Sequence, residues 1–378
     1  MGLFNKEVKE TGFKRSPLNI SILGSRGVPG NYGGFETCAE ELGVRLVQRG
    51  HNVAVYCCAP YSQNDDPYYN GIKRITLPTI RAKALEKLFF AVLSIIHVCF
   101  TKTDVILMLG VSASVFSFIP RIFGIKVIIN VDGLEWRRKK WGKIASLYLR
   151  FSERSACYTT NLVVTDALCV KDYYLKAYGQ ITVFIPYGIR TAHVSSDQTL
   201  KKLGLKPGEY ILYVSRFEPE NNPLLVRRAF ERVKTDKRLV MLGSAPFADE
   251  YVKQIHQCTD ERVMLPGAIY GSGYVELQAN AYAYIQATEV GGIHPALVEA
   301  VGYGNCIIAN DVPEHREVLG DAGIYYNGTD EELADKLQYV LDRPGFVKER
   351  RSLTKNLAGL YSWDNVCHDY ESLFYSLI

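Results

Sequence analysis

The segment from residue 289 to residue 300 combines the densest set of groups that could do chemistry. It reads Glu-Val-Gly-Gly-Ile-His-Pro-Ala-Leu-Val-Glu-Ala, so two glycines precede a proline that suits the first turn of a helix. The amides of such a turn can hold the anionic oxygens of a diphosphate. Glu299 lies further along the same helix, where its carboxylate could accept hydrogen bonds from ribose hydroxyls. An ordinary helix cap, with His294 in a structural role, is the alternative.

Two further loops lie between a predicted strand and a predicted helix, and each could contact the same anion. Residues 24–34 include five glycines, whose amides can approach a phosphate closely, together with Arg26. Residues 214–222 place Arg216 at the carboxyl end of a strand, where its guanidinium can bind a phosphate through two hydrogen bonds. The alternatives are a tight strand-to-helix turn for the first loop and, for the second, a surface arginine paired with a neighbouring glutamate.

A third candidate segment contains Asp132 and Glu135 and follows a predicted strand of the first half. Loops at the carboxyl ends of parallel strands form the ligand cleft in folds of this class. Either carboxylate could therefore orient or deprotonate the hydroxyl group of an acceptor. The alternative for Asp132 is the cap of a helix.

The elements that must position these residues alternate between strand and helix. Residues 18–23 form an apolar strand, apolar side chains over residues 35–46 recur at helical spacing, and residues 53–58 form a second strand. This unit predicts a parallel sheet, and the alternation restarts after a polar stretch, so the chain contains two α/β halves joined near residues 191–203. The further predicted elements are strands at 105–109, 127–130, 162–165, 183–185, 210–214, 239–242, 263–265, 283–286, 306–309 and 323–325, and helices at 88–100, 223–233 and 363–377.

Four segments together resemble the retaining family-4 glycosyltransferases, and most closely the bacterial polysaccharide rhamnosyltransferases. In chain order they are ILGSRGVPGNYGGFET, NVDGLEW, YVSRFEPENN and GGIHPALVEAVGYGNCIIANDVPEHREV. The resemblance implies the α/β GT-B fold, in which two Rossmann-like domains face a cleft. It implies an acceptor-side domain at residues 17–195, a nucleotide-sugar-binding domain at 196–358, and a tail helix at 359–378 that packs back on the first domain.

The resemblance also implies a metal-independent site with no cofactor, and it assigns roles to particular residues. The implied catalytic residues are Arg216, Asp132 and Glu289, and the implied acceptor-side residues are Asp132 and Glu135. The implied donor-binding residues are Gly33, Gly34, Arg26, Arg216, Gly291, Gly292, Ile293, His294, Pro295, Ala296 and Glu299.

Two positions depart from the family pattern. Gly291 stands where the family has the first of two glutamates, and the nearest acid, Glu289, comes two residues too early. Asn221 stands where the family has a lysine close to the phosphate-binding arginine, and Arg26 is the candidate substitute. Both departures predict altered contacts with the donor rather than an inactive protein.

Composition and charge exclude several classes of protein. The chain has 378 residues, of which 47% are hydrophobic and 22% are charged, so it is neither disordered nor fibrous. A formal net charge of +4 is too small to indicate a nucleic-acid partner. The nine cysteines form no CxxC pair, which gives a metal site no support and predicts free thiols in a reducing cytoplasm.

The sequence predicts a protein that lies on a membrane surface without crossing it. Residues 1–14 are charged and lack the apolar core of a secretory signal. The apolar stretch 88–100 is shorter than the roughly 20 residues that span a bilayer. Together with the basic, tryptophan-containing run at 137–143, it predicts docking on anionic lipid. The predicted location is therefore cytoplasmic, peripheral on the inner face of the plasma membrane.

The predicted function is transfer of a sugar from a nucleotide diphosphate donor to a lipid-linked saccharide, with retention and without a covalent nucleophile. The resemblance implies L-rhamnose from dTDP-rhamnose and a place in capsule or cell-wall polysaccharide synthesis. A UDP-hexose-dependent glycosyltransferase and a non-catalytic nucleotide-binding partner of an assembly complex are the alternatives. A nicotinamide-dependent dehydrogenase is disfavoured, because the glycine loop is not GxGxxG and no acid ends the second strand.

Overall fold

Two α/β domains follow one another along the chain. The computed structural model describes residues 16–30, 33–62, 66–80, 85–190, 194, 196–244 and 249–378. The predictions for residues 1–14 and for Asn31 and Tyr32 of the glycine loop lie outside the described residues. The predicted domain boundary at 195/196 and the start of the predicted join at 191–203 also involve residues outside the described part, so the boundary stays a prediction.

The first domain is built on a sheet that is parallel except at one edge. Its elements are β1 (Asn19–Leu23), α1 (Gly34–Gln48), β2 (Asn52–Cys58), β3 (Tyr68–Tyr69), β4 (Ile72–Leu77), α2 (Leu85–Val98), β5 (Val105–Leu109), α3 (Phe118–Ile122), β6 (Lys126–Asn130), α4 (Lys143–Thr159), β7 (Leu162–Thr165), α5 (Leu168–Tyr178) and β8 (Val183–Phe184). The strand order is β3-β4-β2-β1-β5-β6-β7-β8, with β3 antiparallel to β4. Every residue of β5 is buried, as expected of a central strand covered on both faces.

The predicted strands of this half appear within two residues of their predicted ends. In α1, Ala39, Leu42 and Leu46 are buried on the face that packs on the sheet, which confirms the helical spacing of the apolar residues. The sequence patterns above predict no strand at β3 or β4, the hairpin at the sheet edge. Burial alternates at the start of β4, where exposed Lys73 lies between Ile72 and Arg74, but Arg74 is charged, so the sequence there lacks the apolar alternation that indicates a strand.

The second domain repeats the same architecture with a smaller sheet. Its elements are α6 (Gln198–Lys202), β9 (Tyr210–Val214), α7 (Pro223–Glu231), β10 (Arg238–Leu242), α8 (Asp249–His256), β11 (Val263–Gly267), α9 (Gly271–Asn280), β12 (Ala283–Gln286), α10 (Pro295–Gly302), β13 (Ile307–Asn310), α11 (Pro313–Leu319), β14 (Ile324–Tyr326), α12 (Asp330–Leu341), α13 (Pro344–Leu357) and α14 (Trp363–Leu377). The strand order is β11-β10-β9-β12-β13-β14, and all the pairings are parallel. The predicted strands of this half are again found within two residues.

The last helix, α14, leaves the second domain and packs on α1 of the first. The side-chain amide of Asn130, at the end of β6, donates a 2.8 Å hydrogen bond to the Tyr370 hydroxyl. At the helix surface, Glu371 lies 2.8 Å from Arg49 and 2.9 Å from His51. The prediction of a tail helix that returns to the first domain is therefore confirmed.

Candidate active site

Loops after strands of both sheets line one cleft between the domains. Two adjoining cavities lie there, one of about 130 Å³ lined mainly by the first domain and one of about 240 Å³ lined mainly by the second. We call them the smaller and the larger cavity. The residues that line both cavities, and so mark the junction between them, are Gly33, Gly34, Arg138, Arg216, His294 and Pro295.

The first turns of α1 and α10 meet at this junction. A Cβ atom on Gly34 would lie 2.9 Å from Cγ of Pro295, so the missing side chain allows the close approach. Neither N-cap residue, Gly33 or His294, makes a side-chain capping hydrogen bond. The positive ends of both helix dipoles therefore face the junction, where an anion would be stabilised. At α10 the amide that can contact such an anion is that of Ala296, because Pro295 has no N–H and the Leu297 amide donates to the His294 carbonyl.

Glu299 lies on the wall of the larger cavity. Its Oε2 atom accepts a 2.5 Å hydrogen bond from the Tyr274 hydroxyl. Burial raises the pKa of Glu299 to about 7, although the Tyr274 hydrogen bond acts in the opposite direction. Ile269 and Val275 line the same cavity and provide apolar surface. A ligand can pack an apolar ring against such a wall, and the carboxyl group beside it can then bind the hydroxyl groups of the ligand.

Arg216 follows β9 and lines both cavities, with 26% of its side chain exposed. It also lies 3.5 Å from Glu218. Arg216 therefore lines the cleft, as the sequence predicted, and is also paired with a neighbouring glutamate, as the alternative interpretation had it. The Asn221 side chain donates a 2.8 Å hydrogen bond to the carbonyl oxygen of Arg216. The Tyr213 hydroxyl in turn donates to the Asn221 carbonyl at 2.7 Å. Asn221 therefore stabilises the loop that carries Arg216.

Asp132 and Glu135 both line the smaller cavity, but their electrostatic environments differ. Burial opposes the ionisation of Glu135, yet Arg138 and Lys140 outweigh it and lower the pKa of Glu135 to about 2. Burial raises the pKa of Asp132, with Arg138 acting against this rise. Asp132 is therefore the more basic of the two carboxylates and the better suited to accept a proton from a bound hydroxyl group.

The backbone of Asp132 has a positive φ of 56°, which is uncommon for a residue with a side chain. Its amide donates a 2.9 Å hydrogen bond to the side-chain oxygen of Asn130. The short 3₁₀ helix that follows begins at Glu135 and has Leu134 as its N-cap, so Asp132 does not cap it. The local turn instead directs the chain after β6 into the cleft.

Two residues that the sequence analysis did not single out are central to the cleft. Asp166 directly follows β7 and is fully buried, and its Oδ2 atom accepts a 2.9 Å hydrogen bond from the amide of Ile293 in the second domain. Burial, and then the nearby Asp132, raise the pKa of Asp166 well above its usual range. Arg138 lines both cavities. The position of Asp166 at the carboxyl end of a strand could have indicated a cleft residue from the sequence. Arg138 could not be distinguished from the other basic residues of its run.

Some of the predicted donor-binding residues line a cavity, and others lie where the two domains touch. Ile293 lines the smaller cavity and Ala296 the larger one. Gly291 and Gly292 line neither cavity and instead let the domains touch, because a Cβ atom on Gly292 would overlap the Asp166 carboxyl group. The interdomain contact thus accounts for the lack of a side chain at Gly292, whereas a Cβ atom on Gly291 would overlap the His294 ring in the same domain.

Glu289 and Arg26 lie away from the junction. Glu289 lines neither cavity; its carboxylate lies 2.6 Å from Lys139 of the first domain and accepts a 3.0 Å hydrogen bond from Asn222. Arg26 lines only the smaller cavity, where it lies 3.1 Å from Glu86. The catalytic assignment of Glu289 and the assignment of Arg26 as the substitute cation stay predictions.

The basic run at 137–143, which the sequence predicted to dock on lipid, is only partly free surface, at residues such as Arg137 and Lys143. Arg138 is buried, and Lys140 lies 3.3 Å from Glu218 in the second domain. Lys139 is likewise engaged, with Glu289. Three of these cations therefore point into or across the cleft, because the turn after β6 folds the run inward. None of the described helices has the length and apolar character that crossing a membrane requires.

Comparisons with known proteins agree with this architecture. Residues 195–358 match the family described as glycosyl transferases group 1, and residues 18–190 match a domain of unknown function (DUF1972). Sucrose-phosphate synthase from Thermosynechococcus elongatus superposes with a TM-score of 0.79 at 17% identity, over 95% of this chain and 99% of that one. The fold is GT-B. Anabaena HepE in complex with UDP has the same GT-B fold, with a TM-score of 0.73 at 16% identity over 95% of this chain and all of that one.

One curated enzyme shares a shorter match with this GT-B chain. It is the N-acetylgalactosamine-N,N'-diacetylbacillosaminyl-diphospho-undecaprenol 4-alpha-N-acetylgalactosaminyltransferase of Campylobacter jejuni, which is 29% identical over 127 residues. The match covers 33% of this chain and 34% of the enzyme. The chain thus matches about a third of the length of that relative. The family match and the fold together support the group 1 glycosyltransferase part of the resemblance. Neither identifies rhamnose as the sugar that is transferred.

Proposed function

We propose that this protein is a retaining glycosyltransferase that moves a sugar from a nucleotide diphosphate to a lipid-linked saccharide. The observation that carries the proposal is the junction of the two cavities, where Arg216 and the start of α10 meet. The larger cavity offers Glu299 and apolar walls for a nucleoside, and the smaller one offers Asp132 for an acceptor hydroxyl. A diphosphate at the junction would connect the two.

The chemistry assigned to these residues is a displacement at the anomeric carbon. The bond from that carbon to the diphosphate oxygen breaks, and its electron pair leaves with the diphosphate, where Arg216, the Ala296 amide and the dipole of α10 stabilise the charge. The acceptor oxygen forms the new glycosidic bond on the same face of the sugar, and its proton passes to Asp132. No covalent nucleophile is needed, so a trapped glycosyl adduct on a carboxylate would contradict this step.

The identity of the donor belongs to the same proposal. The resemblance described above favours L-rhamnose carried on dTDP. The UDP bound by HepE and the N-acetylgalactosamine transferred by the Campylobacter enzyme support a UDP-linked hexose as the alternative. We keep dTDP-rhamnose as the first donor to test and UDP-sugars as the second.

The proposed acceptor is a saccharide on a polyprenyl diphosphate, and the name of the Campylobacter enzyme, which contains diphospho-undecaprenol, supports it. We infer that the membrane contact lies on α4, because its residues Leu147 and Phe151 are 71% and 59% exposed. Arg150 and Arg154 line the same groove of α4 and would face anionic lipid. This surface takes the place of the run at 137–143 in the proposal.

The first experiment is thermal unfolding of the purified protein with dTDP, UDP, GDP, ADP and NAD, each with and without EDTA. A nucleotide at about 100 times its Kd adds roughly 2.7 kcal/mol to the stability of the folded state. Stabilisation by dTDP or UDP that survives EDTA is the expected result. Stabilisation by NAD alone, or by none of the five, contradicts the proposal.

The second experiment measures sugar transfer by an Arg216→Ala variant. Because Arg216 would stabilise the leaving diphosphate, we expect the transfer rate to fall by about a hundredfold or more. Arg228→Ala is the matched control, since Arg228 is an exposed arginine on α7 of the same domain. Equal rates for the two variants would refute the assignment of Arg216, and nucleotide binding without any transfer would favour the non-catalytic partner.

A further inference from the structure

A nucleoside diphosphate at the cavity junction needs more positive charge than Arg216 alone provides; this inference rests on the function proposed above. Arg216 lies 3.5 Å from Glu218. Burial opposes the ionisation of Glu218, but Arg216 and Lys140 outweigh it and lower its pKa. Glu218 therefore stays ionised and neutralises part of the Arg216 charge, while the helix starts contribute only partial charges. A second cation is required at the junction.

Most of the nearby cations do not reach the junction. Arg26 and Lys87 line only the smaller cavity, and Arg190 lines only the larger one. Lys139 and Lys140 line neither, and both are paired with carboxylates. Within the described residues, the cations common to both cavities are therefore Arg216 from the second domain and Arg138 from the first.

Arg138 is held at one edge of its guanidinium group and open at the other. Its Nε atom lies 2.5 Å from the Glu135 carboxylate, which anchors the group. Its Nη1 atom lies 4.0 Å from Glu220 and its Nη2 atom 3.9 Å from Asp132, both beyond hydrogen-bond distance. The two Nη groups thus have donors to offer an anion. The side chain is only 8% exposed, so water screens its charge weakly.

The three carboxylates around Arg138 approach it to different extents. Glu135 is the close neighbour at 2.5 Å, and the nearest oxygens of Asp132 and Glu220 lie 3.9 Å and 4.0 Å from the Nη atoms. Both carboxyl oxygens of Glu220 are buried without a hydrogen-bond partner in the described part of the chain. The Nη edge of Arg138 therefore has donors that the oxygens of an incoming diphosphate could accept.

We propose that Arg138, from the first domain, and Arg216, from the second, hold the donor diphosphate between them. Nucleotide affinity then depends on both domains, although the nucleoside contacts lie mainly in the second. Arg138 is the cation that the neutral Asn221 does not supply. A charge-assisted, two-point contact of this kind also orients the diphosphate relative to the acceptor side of the cleft.

The test compares the diphosphate with the bare nucleoside in each variant. Titration calorimetry gives Kd values for UDP and uridine, and for dTDP and thymidine, with the wild type, Arg138→Gln, Arg216→Ala and Arg137→Gln. Arg137 is the matched control because it is the adjacent, exposed arginine and lines neither cavity. We expect Arg138→Gln to reduce the preference for the diphosphate over the nucleoside by about tenfold or more, with nucleoside affinity unchanged.

The outcomes separate this inference from the proposed function. If Arg216→Ala loses the diphosphate preference and Arg138→Gln keeps it, the inference is wrong and the proposed function stands. If the wild type binds neither diphosphate more tightly than its nucleoside, both are wrong. If Arg137→Gln loses as much of the diphosphate preference as Arg138→Gln, the loss reflects the overall charge of the protein rather than a contact of Arg138. The inference is then also wrong.

A second variant covers the case in which Arg138→Gln does not fold. Removing a buried cation takes away the closest partner of the Glu135 carboxylate, which is destabilising. The double variant Glu135→Gln with Arg138→Gln removes both charges together, and Glu135→Gln alone is the reference from which it differs only in Arg138. The diphosphate preference of the double variant is expected to be at least about tenfold weaker than that of Glu135→Gln. A double variant that retains the full preference would overturn the inference.

Discussion

The carboxylate of Asp166 in the first domain accepts a 2.9 Å hydrogen bond from the backbone amide of Ile293 in the second. The contact joins the end of β7 to the segment that leads into α10. Gly292 makes it possible, because any side chain there would overlap the Asp166 carboxyl group. This hydrogen bond is one of the contacts that hold the start of α10 against the end of β7.

Replacing Asp166 by alanine is expected to lower stability and transfer together. The variant leaves the Ile293 amide buried without an acceptor, at a cost of about 1–3 kcal/mol. Asp166→Asn keeps an acceptor oxygen and is expected to be close to the wild type, because burial already disfavours the ionised form of Asp166. Thermal unfolding and a transfer assay measure both effects. Asp172→Ala, an exposed acid on α5, is the control, and equal loss in it would contradict the assigned contact.

Gly133 is expected not to tolerate a side chain. A Cβ atom there would collide with the backbone of Gly291 in the second domain, so Gly133→Ala should push the domains apart. We expect a transfer rate at least about tenfold lower, because even small misplacements of reacting groups are costly. Gly142→Ala is the matched control, since a Cβ atom at Gly142 meets nothing within 4 Å. A fully active Gly133→Ala variant would show that the closed contact is dispensable.

The ionisation of Glu299 predicts that nucleotide binding strengthens with pH. Its pKa of about 7 means that the free protein holds a mostly neutral carboxyl group below that value. Ribose hydroxyls donate to the ionised form, so affinity should rise by about tenfold between pH 6 and pH 8. Glu299→Gln should remove this pH dependence and leave only that of the nucleotide phosphate. Calorimetric Kd values measured over that range provide the check. Their dependence on pH differs between the two proteins only if Glu299 titrates.

The same ionisation has the opposite effect on folding. The folded-state pKa of Glu299 is raised from 4.5 to about 7 by burial, so its neutral form stabilises the fold fully below pH 4.5. That contribution is lost as the pH rises through 7. Denaturant unfolding should therefore show a smaller loss of stability between pH 5 and pH 8 in Glu299→Gln than in the wild type. A parallel decline in both proteins would mean that Glu299 is not responsible.

The exposed face of α4 is expected to bind anionic membranes. Leu147→Ser with Phe151→Ser removes two apolar side chains that point away from the protein core, so flotation with vesicles of anionic phospholipid should fall several-fold. Leu360→Ser, in the second domain, is the control because Leu360 is 68% exposed and lies far from α4 in the chain. Binding that is unchanged in the double variant would direct the search to the exposed face of α2.

The alternation of strands and helices was readable from the sequence because it depends on local patterns. Buried runs such as β5 and the helical spacing of Ala39, Leu42 and Leu46 arise from contacts within one element and its sheet. The same patterns predicted that the loops carrying Arg216 and Asp132 follow strands and so lie at the carboxyl edge of each sheet. Both side chains do line the cleft, because parallel strands end on the same side.

Contacts between residues far apart in the chain were decided only by the tertiary structure. A basic run such as 137–143 usually means a solvated surface, but the turn at Asp132 buries Arg138 between the domains. Glu289 belongs to the most chemically dense segment, yet it faces Lys139 rather than either cavity. No local pattern encodes the pairing of Asp166 with Ile293, since it depends on how two separately folded sheets dock.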